Sequence, residues 1–340
     1  MAKGSAEDWT SWKHRPKMAR LDVELSTHSA KPRRLLEGAW ATHFALILVQ
    51  IAFASQVVEG KIAMRSRVDG GEGIAPSALA MARMIGGTLF FLTLHFTKRD
   101  RPKLIWRDHG TLAILAVLGI ALNQTLFLIG LRITSPMGAS LLSVTIPVST
   151  AAIAVLAKKE RASLRLGLGL SVAVAGVLFL TGVRDFDRGA VLVALNSLSY
   201  ATYLVYSRGI IQRLGPITVV AFIFFWGAIE FSPIGLPTLA HEMPQFTARG
   251  WLLVSYIILM PTIVAYFCNA WALGRSSASL VTIYIYLQPI LAAILQYVQL
   301  GQQVSGRLAI AAVLIVIGVG VAATRRVPAA TSNRERGRDA

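Results

Sequence analysis

The sequence contains one cysteine, Cys268, which excludes an intramolecular disulfide and any metal site built from several thiolates. Acidic side chains are scarce, with 17 Asp and Glu against 34 Lys and Arg. Charge of either sign is short as well, at 15% of 340 residues, where soluble domains carry about 25%. HExxH, CxxC, GxSxG and the glycine-rich phosphate loop are all missing, so no catalytic residue, metal or cofactor is expected. Lack of a nucleotide loop also argues against ATP-driven work by this chain.

What the chain does have is long apolar runs. The stretch "SASLVTIYIYLQPILAAILQYVQ" (277–299) carries no charge, yet holds three tyrosines, three glutamines and a proline. A spanning helix needs about 20 mainly apolar residues. Such segments recur at 38–60, 76–97, 109–131, 137–157, 166–182, 189–211, 216–236, 250–273, 278–299 and 307–324. Ten transmembrane helices in an all-α polytopic membrane protein are therefore expected. A soluble helical protein could bury some of these runs, but not ten with so few charges left for its surface.

The basic residues orient the chain. A net charge of +17 could suggest nucleic acid, but the charges cluster in the termini and in short gaps between apolar runs. No nucleic acid partner is expected. With both termini cytoplasmic, 25 of the 34 Lys and Arg fall on the cytoplasmic side and 8 on the other, with Arg83 left inside a span. That excess is the positive-inside signal of a multi-pass protein of the cell membrane. Residues 1–37 and 325–340 are expected as cytoplasmic tails, the first without fixed structure.

The segments 134–182 and 276–324 align without gaps at a constant offset of 142 residues. Ser135 falls on Ser277, Pro147 on Pro289, Glu160 on Gln302 and Gly176 on Gly318. Each copy ends a group of five spans. Duplicating an odd number of spans inverts the second copy in the bilayer, the arrangement that permits alternating access.

The stretch "NQTLFLIGLRITSPMGASLLSVTIPVSTAAIAVLAKKERASLRLGLGLSVAVAGVLFL" (123–180) resembles the EamA domain of the drug/metabolite transporter superfamily. "GAVLVALNSLSYATYLVYSR" (189–208) resembles the start of the family's second repeat, and "PSALAMARMIGG" (76–87) its second helix. The resemblance implies two inverted five-helix EamA-like repeats, here 38–182 and 189–324. It further implies a central cavity, and export of amino acids or related small organic metabolites.

Candidate cavity groups follow from polarity at membrane depth. Gln50, Asn123, Gln124, Asn196, Tyr200, Tyr203, Asn269, Tyr286 and Gln288 are uncharged polar groups that could line a path or join helices. Arg83 is either a cavity cation that holds a carboxylate or a structural partner of Glu59. Pro147 and Pro289 are candidate hinges, because a mid-helix proline frees the carbonyl four residues back, at Ser143 and Ile285. The expected function is a secondary transporter, with proton coupling open and the protein a monomer or a homodimer. A membrane scaffold, a channel and an intramembrane enzyme are the alternatives. Lipid and a small organic solute are the expected partners.

Overall fold

The computed structural model describes residues 17–133, 145–181, 188–300 and 306–323. Residues 1–16 and 325–340 of the expected tails lie outside the described residues, as does Ser143 before Pro147. Two compact units make up the chain, residues 1–44 and 45–340. In the first, the backbone is helical from Lys17 onward.

The described secondary structure is helical throughout. Helix α1 spans Lys17–Met64 and α2 spans Pro76–Thr97. Next come α3 (Trp106–Ala116), a π turn at Val117–Ala121, and α4 (Leu122–Ile133). The first half ends with α5 (Thr145–Leu156) and α6 (Leu164–Thr181). Then follow α7 (Arg188–Leu214), α8 (Pro216–Glu242), α9 (Ala248–Ile258), a second π turn at Leu259–Val264, and α10 (Ala265–Arg275). The short α11 (Ala278–Ile283), a 3-10 turn at Tyr284–Leu287, α12 (Gln288–Leu300) and α13 (Gly306–Ala323) complete the order.

Local chemistry fixes many of these boundaries. Pro76 and Pro216 open α2 and α8, where a missing amide hydrogen costs nothing. The Thr247 hydroxyl caps α9 by accepting from the Gly250 amide at 2.9 Å, and Ser277 caps α11 through Leu280 at 3.1 Å. Inside α8, Pro233 frees the carbonyl of Ile229, and the neighbouring Ser232 hydroxyl donates to it at 2.8 Å.

Among the described residues six helical stretches are long and apolar enough to cross a bilayer: Trp40–Met64, Pro76–Thr97, Trp106–Ile133, Pro216–Gln245, Ala248–Arg275 and Ala278–Leu295. Thr145–Leu156, Leu164–Gly176 and Ile310–Ala322 are shorter apolar helices. The protein is thus a multi-pass, all-helical membrane protein.

Two helix pairs dominate the packing, α2 with α8 and α6 with α13. Apolar area drives little association in lipid, so close backbone approach between small residues takes its place. A Cβ on Gly169 would meet the Gly318 carbonyl at 2.6 Å, and one on Gly318 would meet the Ala173 amide nitrogen at 2.6 Å. In the other pair Gly87 lies under the Phe224 ring, and Gly235 under Phe231 and the Cβ of Met81.

Candidate functional site

The polar side chains picked out by sequence fall mainly around one cavity in the second unit. Phe53, Gln56 and Val57 of α1 share a helix face by their spacing and form one wall. Arg83 enters from α2, and Asn123, Gln124 and Phe127 from α4. Ile146 of α5, Asn196 and Tyr200 of α7, and Tyr266 of α10 form the far side. Ile285 and Gln288 close the ring. The cavity measures about 70 Å³, against roughly 300–1,000 Å³ for small-molecule sites. It holds water-sized space and must widen to admit a metabolite.

Hydrogen bonds between helices tie the lining together. The Asn123 amide donates to Asn196 Oδ1. Gln288 Nε2 donates to Gln50 Oε1 at 2.7 Å, so Gln50 stands directly behind the lining. Asn269 Nδ2 donates to the Tyr200 hydroxyl at 3.0 Å and holds that ring from outside. Gln124 Nε2 donates to Tyr266 Oη at 3.3 Å, and Tyr266 in turn donates to the Gly119 carbonyl at 3.4 Å. Because the single tyrosine proton goes to Gly119, the amide of Gln124 must be oriented as donor.

Arg83 is only 1% exposed. Its Nε donates to Thr262 Oγ1 at 2.8 Å and its Nη2 to the Pro261 carbonyl at 3.3 Å. Both acceptors belong to the second π turn, where a widened ring leaves carbonyls needing donors. Of the two readings of Arg83 left open by the sequence, the pairing with Glu59 is not the one seen: the hydrogen bonds go to a different helix. Glu59 is half-buried, has interactions of its own and stays outside the lining. Arg83 Nη1 and Gln124 Oε1 are buried without a hydrogen-bond partner among the described residues.

Tyr203 and Tyr286 also depart from expectation. Tyr203 packs against the first π turn, where a Cβ on Gly119 would sit 2.5 Å from its ring, and stacks on Tyr200 at 5.7 Å. Tyr286 is fully buried away from the cavity. Pro147 and Pro289 are both buried, at the third residue of α5 and the second of α12. The carbonyl expected to be freed at Ile285 accepts the Gln288 amide instead, because the chain tightens into a 3-10 turn before Pro289.

Tyr266, Phe53 and Phe127 were not among the candidates. Phenylalanines in apolar helices give no signal, but Tyr266 had one: it stands 142 residues after Gln124, the offset of the internal repeat.

Comparisons with known proteins bear on the family and the fold. Residues 40–182 and 187–324 match the EamA-like transporter family. An uncharacterized transporter, YdfC, of Bacillus subtilis is 30% identical over 68% of this chain and 76% of its own. The protein WALLS ARE THIN 1 of Arabidopsis thaliana is 23% identical over 82% of this chain and 81% of its own. One solved crystal structure superposes with a TM-score of 0.64 at 19% identity, covering 84% of this chain and 96% of that one, which speaks for the fold alone. The chain belongs to the EamA-like transporter family.

Proposed function

We propose that the chain is a ten-span secondary carrier that exports a small organic metabolite across the cell membrane by alternating access. Both termini are cytoplasmic in this reading, from the 25-to-8 distribution of basic residues. The observation that carries it is a polar cavity shared between helices of both halves, with a helix irregularity at the same place in each. Residues 106–133 and 248–275 each run as helix, π turn and helix, at the same offset of 142 residues. Residues 164–181 and 306–323 repeat the same offset. Pro147 and Pro289 keep it as well, and Gln124 meets Tyr266 across it. Inverted halves of this kind can exchange conformations, opening the site to one side and then the other.

The ends of the helices are held by separable polar contacts, which a rocking motion would break in turn. At the end drawn as cytoplasmic, Arg213 pairs with Asp108, and Arg208 Nε donates to the Ser276 carbonyl at 2.7 Å. Glu160 accepts from the Ser279 amide at 3.2 Å. At the other end, Arg67 donates to the Gln245 carbonyl at 2.6 Å and Glu242 accepts from the Ala75 amide at 2.9 Å. Counterflow by the purified protein in vesicles, with a panel of amino acids, amines, nucleobases and sugars, tests the reading. Exchange of at least one solute above protein-free vesicles is expected; folded protein that moves none would refute it.

A further inference from the structure

We propose that the cavity takes a monoanionic carboxylate solute, with its anion on Arg83 and a hydrogen-bond donor of the same solute on Gln124 Oε1. The inference rests on the carrier reading and deepens it to a substrate class.

The charge balance of the site carries the argument. Arg83 is buried, and its bonded acceptors, Thr262 Oγ1 and the Pro261 carbonyl, are both neutral. None of the described residues lining the cavity is acidic. A fixed positive charge at membrane depth costs several kcal/mol when nothing of opposite sign accompanies it. A bound anion removes that cost. Its place is set by Nη1, the guanidinium nitrogen still without a partner.

Geometry narrows the class. A guanidinium with one nitrogen unoccupied makes a charge-assisted bond to a carboxylate oxygen. A phosphate dianion would leave one negative charge uncompensated in a site with a single cation, and an amine would place like charges together. Gln124 Oε1, the other buried atom without a partner in the lining, asks for an N–H or O–H on the solute. The rings of Phe53, Phe127, Tyr200 and Tyr266 supply an apolar body to the site. Hydroxy acids and other acids with a neutral O–H or N–H donor near the carboxylate share this pattern.

A second region points to the same sign of charge. Lys61, Arg65 and Arg132 line a depression with Met64 and Ser66 and without an acidic residue. It lies further along α1 and α4 from Val57 and Phe127. Four to eight residues at 1.5 Å each make that displacement about 6–12 Å. A depression lined with one sign of charge raises the local concentration of the opposite ion. The adjoining depression carries both signs, with Glu72 and Glu242 beside Arg67 and Arg132.

The test uses matched solutes that share one body and differ in charge: the acid, its neutral amide and the corresponding amine, for aliphatic, aromatic and hydroxylated bodies. Counterflow and thermal stabilisation are measured in the full-length protein. The expected result is flux of one or more acids, with their amides and amines at least tenfold slower, and at least tenfold loss in Arg83→Gln. Arg83→Lys should retain part of the flux. Amide or amine moving as fast as the acid, or wild-type acid flux in Arg83→Gln, would overturn the proposal. Should Arg83→Gln fail to fold, the wild-type protein decides: a melting temperature raised by acid and not by amide supports the site, and equal shifts overturn it. Stabilisation by an acid with no flux of any solute would keep the carboxylate site and sink the carrier reading.

Discussion

Gln124 and Tyr266, 142 residues apart, hydrogen bond to each other beside the cavity, with Gln124 Nε2 donating to the tyrosine hydroxyl at 3.3 Å. Each stands just past a π turn, on α4 and α10. The carbonyls of Gly119 and Pro261 in those turns, also 142 residues apart, are taken by Tyr266 and Arg83. The two irregular helices are thus joined at equivalent points through side chains that line the cavity.

That link predicts the effect of its loss. Tyr266→Phe keeps the ring and deletes the hydroxyl, removing one bond from Gln124 and one to Gly119. Interhelical bonds in membranes are worth about 0.6–2 kcal/mol each. Folded yield should therefore stay near wild type while counterflow changes by several-fold. Unchanged flux at equal protein per vesicle would make the bond incidental.

Arg83 and Glu59 offer a cleaner double-mutant cycle, because Arg83 has other partners. Substitutions at sites that share no contact usually add within about 0.3–0.5 kcal/mol. Losses in stability from Glu59→Gln and Arg83→Gln should add. Recovery of folded protein in the double variant, relative to either single one, would restore the ion pair.

The α6–α13 contact predicts a packing defect. Gly318→Val places a branched side chain where even a Cβ would sit 2.6 Å from the Ala173 amide nitrogen. Overpacking of this kind costs about 1–3 kcal/mol. A lower melting temperature in detergent is expected, whereas Gly320→Val, with nothing within 4 Å of its Cβ, should be silent. Equal effects of the two would place the close approach elsewhere.

The hinge reading concerns Pro147 and Pro289. Replacing either by alanine restores an amide donor, so insertion and yield should be kept while exchange slows. Exchange rates equal to wild type in both variants would reduce the prolines to bundle shape. Reporter fusions after residues 186 and 330 test the topology, and are expected on opposite sides of the membrane.

Much of this was legible from residues alone, for reasons that differ by residue. Apolar runs announce spans because lipid leaves the backbone no other partner than its own helix. Asn123, Asn196 and Gln288 stood out because an amide at membrane depth needs a partner, and each found one across helices. The π turn at "VLGIA" gave no compositional sign, whereas "LMPTIV" contains Pro261, which frees the Ile257 carbonyl that the Thr262 hydroxyl takes at 2.9 Å. Likewise, nearby Glu59 could be weighed as a partner of Arg83, but not Thr262, 179 residues away. Tyr203 and Tyr286 show the limit of polarity as a guide. Helical spacing gives a face, but not which of two buried faces meets the cavity.

Alternating access is the central claim, and two-sided labelling tests it most directly. With Cys268→Ser as background, a Phe127→Cys probe puts one thiol into the cavity wall. A membrane-impermeant thiol reagent is then applied to right-side-out and to inverted vesicles. Labelling from both sides, at rates that a transported solute changes, is the predicted result. Labelling from one side only, whatever solute is present, would contradict the account.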